Sequence, residues 1–120
     1  MTPERLSSLA AYAGDRIHPS GASGPYPFGL DVPIHVRNVI YVVCAWSGQI
    51  LYVGSTTVGV RIRFAQHLVD SPKTLDWAPV YAIPLSNRTS VRDVRRIEGR
   101  VGLAAAPERS RALPRLANGR

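Results

Sequence analysis

The chain has 120 residues, 45% of them hydrophobic and 19% charged, with a formal net charge of +7. That length and apolar content fit a single domain with one modest core, and they exclude a chain disordered throughout. The lone cysteine, Cys44, excludes an internal disulfide, and the longest apolar run, Val39 to Trp46, is far shorter than the roughly 20 residues that cross a bilayer.

The opening segment, MTPERLSSLAAYAGDR, has helical spacing over Pro3 to Ala13, with Leu6, Leu9 and Ala10 on one side. Glu4 and Arg5 interrupt it where a signal peptide has its apolar stretch. Together with the unpaired thiol, this gives a cytoplasmic location, free of membrane, as the expectation. HPSGASGPYPFGLDVP follows, dense in proline and glycine, and reads as loop. Residues 1–37 are therefore expected to form a short helix and an arm ahead of the main domain, residues 38–105.

That domain opens on NVIYVVCAW, rich in β-branched and aromatic residues that suit a buried strand. Ser47-Gly48 marks a tight turn and QILYVG a second strand, so the two form an antiparallel hairpin. After a loop at STTVG, VRIRFAQHLV is predicted helical, with Val60, Phe64 and Leu68 on one side and Ser71-Pro72 as its stop. WAPVYAIPL is a third strand, its Pro79 and Pro84 placing it at an edge or marking its ends. Ser90 and Asp93 resemble a capping box for a helix through VRDVRRIEGRV, which frays near Ala104 to Pro107. The expected fold is α+β, a small three-stranded antiparallel sheet flanked by helices, with residues 106–120 as a basic tail.

Charge is concentrated at one end. Residues 88–120 hold nine arginines against Asp93, Glu98 and Glu108, whereas residues 1–87 hold six basic and five acidic side chains. A polyanion is the natural partner of such a field, because bound phosphates release condensed counterions. Arg61, Arg92, Arg95, Arg96 and Arg100 are the candidate nucleic-acid contacts. The plainer reading is a solvated basic surface.

Four polar residues stand out, Tyr41, Tyr52, Arg63 and Glu98, with His67 beside them. Tyr41 and Tyr52 lie on the two arms of the hairpin, where cross-strand neighbours can act on one ligand, although strands favour aromatic residues anyway. Arg63 and His67, four apart, share one face of the next helix at the margin of its buried side. A guanidinium there can brace a phosphate with its planar fork. Arg61 is its rival but lies about 160° away around the helix. On the last helix, Glu98 falls at about 340° from Val91, inside the apolar arc of Val94, Ile97, Val101 and Ala105. Arg92, Arg95, Arg96 and Arg100 fall outside that arc. Burying a carboxylate costs several kcal/mol unless a cation pairs with it, so Glu98 requires either an arginine or a metal ion.

In this order the residues resemble the GIY-YIG nucleases, found among homing endonucleases, restriction enzymes and the incision subunit of bacterial excision repair. Val39-Ile40-Tyr41 stands at the GIY triplet and Tyr52-Val53-Gly54 at YIG, with ten residues between them. Arg63 to His67 matches the family's R-x-x-x-H stretch, and Glu98 falls at its metal-binding glutamate. Val39 replaces the leading glycine, the loop from Gly54 to Arg63 is one residue longer than usual, and Asn118 is the sole counterpart of a supporting asparagine. The resemblance implies endonucleolytic cleavage of DNA, with RNA left open as a target, and one Mg2+ (or Mn2+) held by Glu98. It assigns the water to Tyr41, with nearby cations lowering the phenol's pKa. The phosphate or the water falls to Tyr52, transition-state charge to Arg63 and proton relay to His67. No zinc-ligand set or helix-turn-helix is visible, so cleavage would be weakly specific, structure-directed, or dependent on a homodimer or a separate DNA-recognition partner. The competing readings are a non-catalytic nucleic-acid-binding module on the same fold and a purely structural α+β domain.

Overall fold

A computed structural model describes residues 1–28, 32–70 and 79–105. Its centre is β2, Val39–Cys44, in which all six residues are buried. Strands covered on both faces read as continuous apolar runs, and this run of valine, isoleucine and tyrosine is one. A tight turn leads into β3, Ile50–Thr56: Ala45 N–H donates to Gln49 O at 2.8 Å and Gly48 N–H to Ala45 O at 2.9 Å. Gly48 adopts φ +92°, which only glycine takes without steric cost. Buried and half-buried residues alternate along β3, as befits an edge strand.

The fold is α+β, but its antiparallel sheet has four strands and not the three expected from the sequence. With β1 at Ser23–Tyr26 and β4 at Val80–Pro84, the order is β1-β4-β2-β3. The added strand comes from the proline- and glycine-rich arm. Only Ser23 and Tyr26 pair in register, with Ala82 and Val80, and Pro25 between them is tolerated because β1 is an outer strand. β4 is accordingly internal, pairing with both β1 and β2, and Pro84 marks its end.

The sheet carries a core on each side. Ile40, Val42 and Cys44 face one cluster with Tyr81, Ile83 and Leu85. That cluster is completed by α1, Pro3–Ala10, through Leu6 and Leu9, and by α3, Val91–Ala105, through Val94, Ile97 and Val101. Val39, Tyr41 and Val43 face the opposite cluster with Val80 and Ala82, covered by Val60 and Phe64 of α2, Val60–Asp70. The N-terminal helix is thus part of the same body. Arg5 Nη2 donates to the carbonyls of Ala104 and Ala105, at 3.0 and 2.6 Å, and satisfies the open end of α3.

At the other end of α3, Asp93 N–H donates to Ser90 Oγ at 3.1 Å, the cap expected from the sequence. No helix among the described residues is long and apolar enough to cross a membrane. The expected stop at Ser71-Pro72, the residues Trp77-Ala78 and the basic tail 106–120 lie outside the described residues. Because α3 carries Glu98, its cap matters to the site. Ser90→Ala is expected to lower unfolding free energy by about 1 kcal/mol, and Ser90→Asp to retain most of it, in urea denaturation.

Candidate active site

A strand at the edge of a sheet sends alternate side chains to opposite faces, and both sets can reach around its open side. β3 does this between two helices that cover different faces. Tyr52 and Gly54 belong to the α2 side, while Val53 packs on the α3 side and Ser55 reaches Glu98 there. A cleft of about 200 Å³ opens at this edge. Tyr52 and Ser55 line it from the strand, Arg63 and Gln66 from α2, and Arg95 and Glu98 from α3.

Behind this wall lies a buried pair. Tyr41 is fully buried, and its Oη shares a 2.8 Å hydrogen bond with Nε2 of His67, itself buried. Phe64 meets the Tyr41 ring edge-on at 5.1 Å between centroids, and the Tyr52 and His67 rings lie 5.6 Å apart, also edge-on. The two tyrosines are diagonal neighbours and not a direct pair: Tyr41 is opposite Gly54, and Tyr52 is opposite Val43. Their ring centroids are 6.1 Å apart, within reach of one diagonal step for aromatic side chains.

Gly54 makes that diagonal contact possible. A Cβ at this position would stand 2.6 Å from Cζ and Oη of Tyr41 and from Cε2 of Tyr52. No side chain fits there. The sequence holds a trace of this requirement, since an isolated glycine inside a strand of β-branched and aromatic residues marks a close approach.

The electrostatics of Tyr41 overturn one expectation. The nearby guanidinium does not bring its pKa below the ordinary value; burial pushes the phenol far above it, and Tyr52 adds to the shift. Arg63 pulls the other way and is outweighed, because removing a phenolate from water costs more than one partly solvated guanidinium returns. Burial also works against the charge on Arg63, but Tyr41 and Tyr52 more than offset it, so that guanidinium stays above its usual range and fully charged. Its Nη1 donates to Gln66 Oε1 at 3.2 Å, which steadies the side chain along the cleft.

Of the residues singled out from the sequence, Tyr52, Arg63 and Glu98 line one cleft, and Tyr41 and His67 form the pair behind it. Arg95 stands at the cleft beside Glu98. Arg61 is exposed, as are Arg92, Arg96 and Arg100 on the outer face of α3. Arg96 pairs with Asp93 at 3.6 Å, and Arg16 reaches the same carboxylate at 3.6 Å. Glu98 is half-buried and accepts a hydrogen bond from Ser55 Oγ. The sequence carries no signal for Ser55 and Gln66, because single uncharged polar residues in a strand end and a helix turn have no distinctive spacing.

No group of three His, Cys, Asp or Glu side chains gathers among the described residues. The side chains that bring oxygens to the cleft are the Glu98 carboxylate, the hydroxyls of Tyr52, Ser55, Thr56 and Thr57, and the Gln66 amide. Hard oxygens with a single carboxylate fit Mg2+, which keeps most of its waters and takes remaining ligands from substrate phosphate. No protein-family profile, curated protein or solved structure matches the chain.

Two outcomes test this geometry. Gly54→Ala is expected to destabilise the fold by about 3 kcal/mol, since the new methyl group meets three atoms that the core holds in place. The proton on Tyr41 is held more tightly in the folded chain than at the ordinary phenol value of 10.0. Its contribution to stability is therefore full below that pH and declines above it. Urea titrations at rising alkaline pH should show this decline, and Tyr41→Phe should reduce its slope.

Proposed function

We propose that the protein is a metal-dependent endonuclease of the GIY-YIG type that hydrolyses phosphodiester bonds in DNA and acts in the cytoplasm. The observation that carries the reading is the meeting of a phenol, a guanidinium and a carboxylate, Tyr52, Arg63 and Glu98, in one cleft at the edge of β3. They come from a strand and two helices on opposite faces of the sheet. The four-stranded sheet, with the hairpin of β2 and β3 at its centre and edge, is compatible with the scaffold that the sequence resemblance implies.

Within this reading, Glu98 would hold Mg2+ or Mn2+. Such an ion, when bound, offsets charge on the scissile phosphate and on the departing 3′ oxygen. Arg63 grips the phosphate and stabilises charge that builds in the transition state. Tyr52, the phenol that lines the cleft, hydrogen-bonds the phosphate or the attacking water. Tyr41 is too deeply buried, and too hard to ionise, to serve as a free phenolate. Its part is to sit protonated against His67 and hold that imidazole, the candidate proton relay, behind the cleft. Duplex phosphates approach along the exposed face of Arg92, Arg95 and Arg100, with target choice left to a second copy or a separate partner.

The exposed arginines of α3 also favour a second reading, a nucleic-acid-binding module without catalysis. An acidic side chain in the cleft counts against it, since a bare carboxylate repels phosphate. Supercoiled plasmid incubated with and without Mg2+ or Mn2+ separates the two. Metal-dependent nicking is expected, with Glu98→Ala inactive yet folded and Arg63→Ala slower by about 100- to 1000-fold. Arg61→Ala is expected to nick much as the wild type does. Tight DNA binding with no nicking in either metal would leave the binding module as the function.

A further inference from the structure

A site built on one carboxylate depends on where that carboxylate points. The backbone of Glu98 is fixed: Val94 and Val101, on the turns either side of it, are fully buried, and Ile97 is 5% exposed. Its side chain is not fixed by packing, being half-buried at the cleft with three rotatable bonds. Among the described residues, the hydrogen bond that orients it comes from β3. Ser55 is paired with Ile40 in the register of the hairpin, so its Cα is held by the sheet, and its Oγ donates to Glu98 Oε1.

The neighbouring hydroxyl does not duplicate this bond. Thr56 Oγ1 donates to Gly59 O at 3.2 Å and accepts from Val58 N–H at 3.1 Å, closing the loop into α2. Arg63 directs Nη1 to Gln66. Ser55 is thus the group on the strand that is given over to the carboxylate.

We propose that Ser55 is a positioning residue for the divalent cation: by holding Oε1 of Glu98 it fixes the carboxylate and presents Oε2 to the cleft as the metal ligand. The inference rests on the nuclease reading and adds to it the residue that sets metal affinity. Hydrogen bonds from a second layer of residues fix the orientation of metal-binding side chains, and their loss typically weakens binding by about 10- to 100-fold. With Glu98 the one acidic residue among those described as lining the cleft, that loss is not buffered.

The test compares wild type, Ser55→Ala, Ser55→Thr and Glu98→Gln. Two quantities are measured: bound Mn2+, from the electron paramagnetic resonance signal of the free ion, and the Mn2+ concentration giving half-maximal plasmid nicking. Thermal unfolding of each variant reports on the fold. Ser55→Ala is expected to need about 10- to 100-fold more Mn2+ in both measurements with little change in unfolding temperature. Ser55→Thr, which keeps the donor, is expected to recover most of the wild-type affinity. Wild-type Mn2+ affinity in Ser55→Ala, beside loss of binding in Glu98→Gln, would overturn the role of Ser55 and leave the nuclease reading standing. Unchanged Mn2+ binding and nicking in Glu98→Gln would overturn both.

Discussion

The ring of Tyr41 lies across the backbone of β3 at Gly54, where a single methyl group would collide with it. Much of the site depends on that close approach. It lets a phenol from the central strand reach His67 and brings Tyr52 alongside it. His67 belongs to α2, so the 2.8 Å hydrogen bond between Tyr41 and His67 also fixes how α2 lies on the sheet, and with it where Arg63 enters the cleft. A buried polar pair of this kind must stay satisfied, because an unpaired donor or acceptor in that place would cost roughly 1–3 kcal/mol. The same requirement that holds the core together therefore sets the geometry of the cleft.

The edge position of β3 has a comparable consequence on a larger scale. Helices α2 and α3 bury their apolar sides on opposite faces of the sheet. Had β3 been an inner strand, a further strand would have separated them; at the rim, Arg63 from one side and Glu98 from the other reach the same open space. The arrangement keeps a cation and an anion in one cleft while each stays attached to its own packed helix. It also places the buried Tyr41–His67 pair behind Tyr52, which lines the cleft.

How much of this was legible in the sequence follows from which physical signals act locally. The buried strand Val39–Cys44, the turn at Gly48 and the cap at Ser90 are local, and periodicity or turn chemistry reveals them. Glu98 was legible because a helix projects a lone carboxylate onto its apolar side regardless of tertiary context. β1 was hidden: two register pairs across a proline leave no alternation to read, and the strand exists only because β4 offers it an edge. The direction of the Tyr41 shift was hidden as well, since burial is a property of the packed core and the sequence displays only the nearby arginines. Ser55 lacked any signal, its partner lying 43 residues away on another element.

The central claim is that groups from two faces of the sheet converge at the rim of β3 to hold one ion and one phosphate. Paramagnetic broadening of amide resonances by trace Mn2+ addresses it most directly, because the effect falls off steeply with distance from the bound ion. The account predicts that amides of Ser55, Arg95 and Glu98 broaden first, that β1 and α1 stay sharp, and that Glu98→Gln abolishes the pattern. Early broadening centred elsewhere in the chain, or a pattern unchanged by that substitution, would contradict it.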